Sequence, residues 1–372
     1  MRKRIRLSKP YLGDKQDLMH LLAEVLESGF LVQGEKVAQF EQQVAGFLGA
    51  KHAIAVSSGT AALHLSLVSL GIGPGDEVIV PAYTFPATAN VVELVGAKPV
   101  LVDVDLETYN IQVEQIENSL SPKTKAIIPV HLFGNPADMD PIMEIAKEHN
   151  LWVIEDAAGA LGSTYKGKKC GTIGHLGCFS FHPRKIVTTG EGGMVVTNDN
   201  DLAERIRSLR NHGMRMIGAK LDFTVAGFNY RMNELEAVLG IIQMREIQEI
   251  INERQRLAGL YMDTLKSVPG IAFQKILPNC TTVWQAFVVR LRDRNSDAFV
   301  KLLQDAGIEA NIGTYALHLL HFYSCKYGYK PSDYPSAAEL YSKNLALPFY
   351  NGMVLENIVQ VVDTLRRVLD EN

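Results

Sequence analysis

The chain has 372 residues, 47% of them apolar and 21% charged, with a net charge of −4. That length exceeds one small core and suggests two or three domains, while the interspersed, near-neutral charge marks neither a nucleic-acid partner nor an anionic membrane. No run approaches the ~18 apolar residues of a membrane span. The four cysteines, Cys170, Cys178, Cys280 and Cys325, fall in no CxxC or CxxH spacing. They read as reduced thiols of a cytoplasmic protein, not as a disulfide frame or a metal site.

In chain order, the start MRKRIRLSKP is the one local charge bias. It is either a basic arm for an anionic surface or a solvated terminus tied down by Ile5 and Leu7, the plainer reading. No apolar core follows it, so it does not read as a signal peptide. Residues 15–28 and 35–46 read as amphipathic helices, 52–56 as a strand and 60–70 as a helix that Gly71 ends. Strands follow at 77–81, 99–103, 126–131, 151–155, 178–181 and 194–197, with helices at 87–95, 139–149 and 201–210 among them. Apolar strands separated by helices predict an α/β fold with a mostly parallel sheet covered on both faces. After Asn211 the texture changes: HGMRMIGAKLDFTVAGFNYRM reads as a long loop, then 233–266 as a long helical stretch broken by Pro269 and Gly270. The remainder, with a strand at 286–291 and helices at 296–305 and 355–369, reads as a smaller α+β domain. The expected division is 1–248 and 249–372.

Four stretches carry chemistry. In GCFSFHPRKIVTTGEGGMVV (177–196), Lys185 lies between two apolar runs, beside Arg184 and a glycine loop. Burial and a neighbouring cation both disfavour an ammonium, and a neutral amine is a nucleophile able to form a Schiff base. An ordinary loop lysine with its head in water is the plain alternative. SSGTAALHL (57–65) joins a strand to a helix; it is N-capped by Ser58 or Thr60, or it cradles a phosphate on its backbone N–H groups with Gly59 allowing close approach. Asp156, ending the apolar run in LWVIEDAAGALGS, is a turn residue or a carboxylate placed where α/β sheets hold ligands. In PAYTFPATAN, Tyr83 and Phe85 pack in the core or stack on a planar ring. Together these are the groups pyridoxal phosphate needs: a phosphate anchor, a ring stack, an anion for the pyridine nitrogen and a Schiff-base lysine.

SSGTAAL, GDEVIVPAYTFPATAN, VDVD, KAIIPVHLFG, IEDAAGALG, FSFHPRKIVTTGEGG, RNHG and GFNYRMNELEAVLG, in that order over nearly the whole chain, closely resemble the DegT/DnrJ/EryC1/StrS family. The resemblance implies a fold-type I pyridoxal phosphate enzyme, with a large domain built on a mostly parallel mixed sheet and a smaller C-terminal domain. It implies that Lys185 is the Schiff-base lysine, that Asp156 faces the pyridine nitrogen and that Ser180 binds the cofactor phosphate. Gly59 and Thr60 match the phosphate cup and Phe85 the stacked aromatic. Asn229 matches an asparagine that reaches the phosphate from the partner subunit, which implies a homodimer with shared active sites. Arg231, Tyr315 and His318 resemble substrate-side positions. His182, three residues before the lysine, shapes the loop or meets substrate.

The implied activity is transfer of an amino group from L-glutamate or glutamine to a nucleotide-linked keto sugar, of the 4-keto-6-deoxy type by the form TTGEGG, in a ping-pong sequence. Such a reaction serves amino sugar synthesis for surface polysaccharide or secondary metabolites. Two other readings are a keto-inositol aminotransferase, which shares all the cofactor residues, and a regulatory protein that binds pyridoxal phosphate without turnover, against which the complete set of Lys185, Asp156 and Ser180 argues. Lysine at 185, where the family's 3-dehydratases carry histidine, favours transamination. One departure stands out: many members carry Gln, His or Glu three residues after the aspartate, and here the position is Gly159.

Overall fold

The computed structural model describes residues 4–292 and 294–371. Its centre is a seven-stranded sheet. In chain order the strands are β1 (His52–Val56), β2 (Glu77–Pro81), β3 (Lys98–Val102), β4 (Thr124–Ile127), β5 (Trp152–Asp156), β6 (Leu176–Ser180) and β7 (Gly193–Thr197). They lie in the order β1-β7-β6-β5-β4-β2-β3, parallel from β3 to β6, with β7 antiparallel to both its neighbours. Most of these strands are buried along nearly their whole length, which explains their continuous apolar sequences. The parallel pairings require helical crossovers, and the helices Ala87–Leu94 and Met139–Glu148 supply two of them. The expected fold-type I architecture is present.

Parallel strands all end on one edge of the sheet, so Asp156 closing β5 and Ser180 closing β6 become neighbours although 24 residues separate them. One further feature fixes that edge. The Glu155 carboxylate, fully buried, accepts N–H bonds from Gly171 (2.7 Å), Ile173 (2.6 Å) and Gly174 (2.6 Å). It also meets His131 Nε2 at 2.8 Å, and since His131 Nδ1 accepts from Ala137 N, Nε2 carries the proton and donates. A buried carboxylate with four donors is stable only where it stands, so it locks the strand one residue before Asp156.

A second, antiparallel sheet orders Ile271–Phe273, Phe287–Leu291, Asn344–Leu347 and Asn311–Ile312, with its own apolar cluster. Ile5 belongs to that cluster: its N–H donates to Gly307 O, and its carbonyl accepts from Glu309 N. The start of the chain is thus tied down as the plainer reading had it, with Met1 to Lys3 outside the described residues.

Two expectations fail. The stretch after Asn211 is not a plain loop but a hairpin, Met214–Ile217 paired with Lys220–Phe223. The helical stretch is two helices, Glu234–Arg245 and Ile247–Leu265, broken at Glu246. The first opens with a capping box between Asn233 and Glu236.

Candidate active site

At the carboxyl edge of the large sheet lies a cavity of about 490 Å³. Its walls include Gly59, Thr60, Phe85, Asp156, Ser180, His182, Lys185 and Tyr315. Eight of the eleven residues singled out from the sequence therefore converge.

Lys185 sits on the turn between β6 and β7, and the turn is held firmly. Phe181 N donates to Gly192 O, and Thr189 N donates back to Phe181 O. Gln243, from the helix Glu234–Arg245, clamps Thr188 by accepting its N–H (2.9 Å) and donating to its carbonyl (2.7 Å). Lys185 N itself donates to His182 O (2.8 Å). The lysine is half-buried on the cavity floor, and among the described residues its Nζ has neither a hydrogen bond nor an ion pair. Burial pushes its ammonium below an ordinary lysine's pKa, the Asp156 charge opposes that, and the Arg184 guanidinium adds to it. A lysine with no hydrogen bond or ion pair among the described residues, its ammonium disfavoured by burial, is suited to act as a nucleophile.

Asp156 is 6% exposed. It accepts from Thr88 Oγ1 at 2.8 Å and from Ala158 N at 3.2 Å. Burial raises its pKa, while the Thr88 bond, Lys185 and the Ala158 N–H favour the carboxylate. Thr88 is positioned by the first turn of the helix Ala87–Leu94.

The phosphate cup forms where β1 meets the helix Gly59–Ser69. Ser58 caps that helix, its Oγ accepting from Ala61 N at 3.0 Å. The N–H groups of Gly59 and Thr60 open the helix and have no acceptor within it. A Cβ on Gly59 would lie 2.8 Å from Ser180 Cβ, closer than atoms pack. Glycine at 59 lets the start of the helix, with its free N–H groups, come close to Ser180. Phe85 remains 62% exposed, its ring 6.2 Å from Tyr315 and edge-on to it. An aromatic left that bare beside a cavity offers a face for stacking.

His182 accepts from Arg184 N through Nδ1 (3.2 Å) and donates its own N–H to Ser180 Oγ (3.4 Å), so it shapes the loop. Burial lowers its pKa.

Three residues stand apart from the cavity. Asn229 is exposed, its backbone bridged to Asn211. Arg231 donates to Asn211 Oδ1 at 2.6 Å. His318 was expected on the substrate side; the turn Leu317–Leu319 instead directs it into packing, 0% exposed, with its ring 5.1 Å from Tyr334.

The sequence reading missed Thr88 and Gln285. Thr88 stood inside a quoted motif, three residues after the aromatic. Gln285 lies in a segment with no motif at all.

The model of the DegT/DnrJ/EryC1/StrS aminotransferase family matches residues 13–366. This chain belongs to that family. The aminotransferase is 40% identical to the GDP-perosamine synthase of Caulobacter vibrioides, with 98% of each chain covered. It is similar to solved structures too: DesV of S. venezuelae (34% identity, 98% of each chain, TM-score 0.91) and the sugar aminotransferase Spr1654 of Streptococcus pneumoniae in its PLP form (27% identity, 99% of each chain, TM-score 0.93). It is a pyridoxal phosphate-dependent sugar aminotransferase. The residues present fit that cofactor: a cradle that a Cβ would fill, a bare aromatic, a buried acid and an unpartnered lysine.

Proposed function

We infer that the aminotransferase moves an amino group from L-glutamate to a nucleotide-linked keto sugar of the 4-keto-6-deoxy type, in two half-reactions at this cavity. The observation that carries the reading is Lys185, unpartnered on the cavity floor with its ammonium disfavoured by burial. Pyridoxal phosphate supplies an aldehyde that takes the amino group and a pyridinium ring that takes up electrons released from the substrate carbon. Lys185 presents the neutral amine that holds the cofactor between turnovers. When the donor displaces it, Lys185 would be the base that takes the proton from the donor carbon and delivers it to the cofactor carbon. In the second half-reaction it moves the same protons in reverse and the sugar leaves aminated. Asp156, whose carboxylate the Thr88 and Ala158 donors favour against the burial that raises its pKa, would hold a proton on the pyridine nitrogen. Gly59, Thr60 and Ser180 hold the phosphate, and Phe85 stacks on the ring.

The kinship with a GDP-perosamine synthase supports a nucleotide sugar as acceptor. The TTGEGG form after Lys185 supports the 4-keto class. Tyr315 and His182, which line the cavity, remain the proposed acceptor side, while Arg231 and His318 stand off it. Asn229, exposed and off its own chain's cavity, fits a residue that serves a partner subunit's phosphate. An assembly of two copies is further supported by the bare hairpin residues Met216, Ile217, Leu221 and Phe223, which need cover. The division at 1–248 and 249–372 rests on the break at Glu246 and the separate apolar cluster of the second sheet. A cytoplasmic home is supported by four free cysteines; among the described residues no helix is long and apolar enough to cross a membrane.

The test is an absorbance spectrum of the cofactor-loaded protein before and after L-glutamate, followed by TDP- and GDP-linked 4-keto-6-deoxy sugars and scyllo-inosose as acceptors. The expected result is a visible band that glutamate bleaches and a nucleotide keto sugar restores. Restoration by scyllo-inosose alone would move the assignment to cyclitols. A band that no amino donor changes would overturn the reading.

A further inference from the structure

Residue 159 in the cavity wall is glycine, and the space above it is filled. A Cβ placed on Gly159 would lie 3.2 Å from Gln285 Oε1, 3.3 Å from its Cγ and 3.4 Å from its Cβ. Gln285 lies across the glycine and reaches the lysine turn, its Nε2 donating to Arg184 O at 3.1 Å. That bond fixes the amide's orientation, since a carbonyl accepts only from the NH₂ end. It touches the residue directly before Lys185.

The backbone that carries Gln285 is held from both sides. Its N–H donates to Phe133 O (3.0 Å), and its carbonyl accepts from Arg254 Nη2 (2.8 Å). Arg254, itself buried in the helix Ile247–Leu265, also donates from Nε and Nη2 to Trp284 O, and from Nη1 to Asn351 Oδ1. Trp284 adopts φ +52°, in the left-handed region that non-glycine residues occupy only under external constraint. A segment clamped this heavily, with a strained residue just before it, is built to aim one side chain. Beneath the turn Ile186 and Val187 pack into the core, and the side-chain hydrogen bond that otherwise holds it from outside comes from Gln243; the Arg184–Lys185 end has its brace from Gln285.

We propose that Gln285 is a positioning residue for Lys185, bracing its turn from the opposite wall, and that residue 159 is glycine because Gln285 occupies the space a side chain would take. The inference rests on Lys185 being the reactive amine. Without the brace, the turn loosens, Lys185 samples wetter positions, and burial no longer depresses its pKa as strongly. The sign follows: removal of Gln285 moves the lysine's titration upward, toward an ordinary lysine. Gly159→Ala acts through the same contact, because the added methyl presses on the amide at 3.2 to 3.4 Å, and should do little where the amide is absent.

The experiment measures borohydride-trapped pyridoxal phosphate on each lysine by peptide mass spectrometry, across pH, in five proteins: wild type, Gln285→Met, Gln285→Ala, Gly159→Ala and Gly159→Ala with Gln285→Ala. Gln285→Met keeps the length and loses the donor, and melting temperature confirms that each variant is folded. Label at a lysine other than 185 in the wild type would sink the assignment of the nucleophile and with it this inference. With label at Lys185, the expected result is an upward shift of the labelling midpoint by about half a pH unit or more in Gln285→Met. A several-fold lower kcat with a nearly unchanged KM for L-glutamate should accompany it. Gly159→Ala should shift the midpoint in the same direction alone and not further when Gln285 is already Ala. Wild-type midpoints in Gln285→Met, or a Gly159→Ala effect that persists without Gln285, would overturn the inference while leaving the nucleophile in place. If Gln285→Met does not fold, the Gly159 pair decides by the same comparison.

Discussion

The two walls of the cavity are built in different ways. One wall is the carboxyl edge of the large sheet: the cup at Gly59 and Thr60, Asp156 at the end of β5, Ser180 at the end of β6, and Lys185 on the turn that follows. Each of these ends or follows a strand, and parallel strands bring their ends together whatever lies between them. The other wall is assembled from single residues far apart in the chain, among them Leu7, Ser8, Gln285 and Tyr315. These stand where long-range hydrogen bonds hold them, as when Phe349 N donates to Leu7 O or when Tyr315 pairs with Thr84. On the proposed function, the chemistry belongs to the fold's regular edge and acceptor choice to the assembled wall, with Gln285 reaching across to brace Lys185. If that division is right, substitutions on the first wall should abolish turnover or cofactor binding, and those on the second should change which substrate is used and how well.

The largest effect should come from Lys185→Ala. Loss of the base should lower kcat with L-glutamate by about a thousandfold or more and remove the lysine-dependent visible band, measured by steady-state assay and absorbance. Near-normal turnover would mean that another lysine is the nucleophile. Next is Asp156→Asn, which keeps shape and loses charge. It should cost about a hundredfold or more in kcat by the loss of one buried electrostatic partner. The cavity shape and the Thr88 contact should survive, so cofactor should still bind, and equilibrium dialysis would separate a lost charge from a lost fold.

Gly59→Ala tests the cup. Its methyl would meet Ser180 Cβ at 2.8 Å, and relieving that overlap costs about 1–3 kcal/mol. Pyridoxal phosphate should bind roughly ten- to a hundredfold more weakly, with kcat at saturating cofactor falling much less. A collapse of kcat at full occupancy would mean that the cup does more than hold an anion.

This wall was also the legible one. Apolar runs followed by Ser-Ser-Gly-Thr, by Asp and by the lysine loop are local signals, and the strands at 52–56 and 77–81 fell where the sequence put them. What could not be read had no local signal. The hairpin Met214–Ile217 with Lys220–Phe223 is exposed on nearly every residue, so no buried face imposes an alternating pattern. The helix break at Glu246 has neither glycine nor proline to announce it. His318 looks like a polar residue in a loop, and only the packing of Tyr334 shows it buried. Gln285 acquires its place from Arg254, Phe133 and the strained Trp284, three partners that no spacing connects.

Thr88→Val probes the support of Asp156. The lost O–H donor at 2.8 Å favours the carboxylate, so its removal should raise a pKa that burial has already raised. A hydrogen bond to a charged group is worth about 1.5–3 kcal/mol, or roughly one to two pH units. The sign is fixed: the aspartate now protonates at a higher pH, so the acid limb of kcat/KM should move upward. At pH values above that limb the rate should approach the wild type. An unchanged limb with a uniformly lower rate would assign Thr88 to packing alone.

The smallest effect is the most direct probe of the two walls. Tyr315 stands on the assembled wall, 6.2 Å from Phe85, yet through its pairing with Thr84 it is tied to the first. Tyr315→Leu removes two aromatic pairs, with Phe85 and with Tyr341, of which the Phe85 pair borders the cavity and is worth about 0.5–1.5 kcal/mol. If the division of labour holds, that loss falls on the acceptor: KM for the keto sugar should rise roughly two- to tenfold, while the glutamate half-reaction, followed by bleaching of the visible band in a single turnover, keeps its rate. On the proposed mechanism both halves use a ring stacked on Phe85, so a slower half-reaction of equal size would show that Tyr315 acts through Phe85. The edge between the walls would then run behind Tyr315, leaving acceptor selection to Leu7, Ser8 and the segment 311–314.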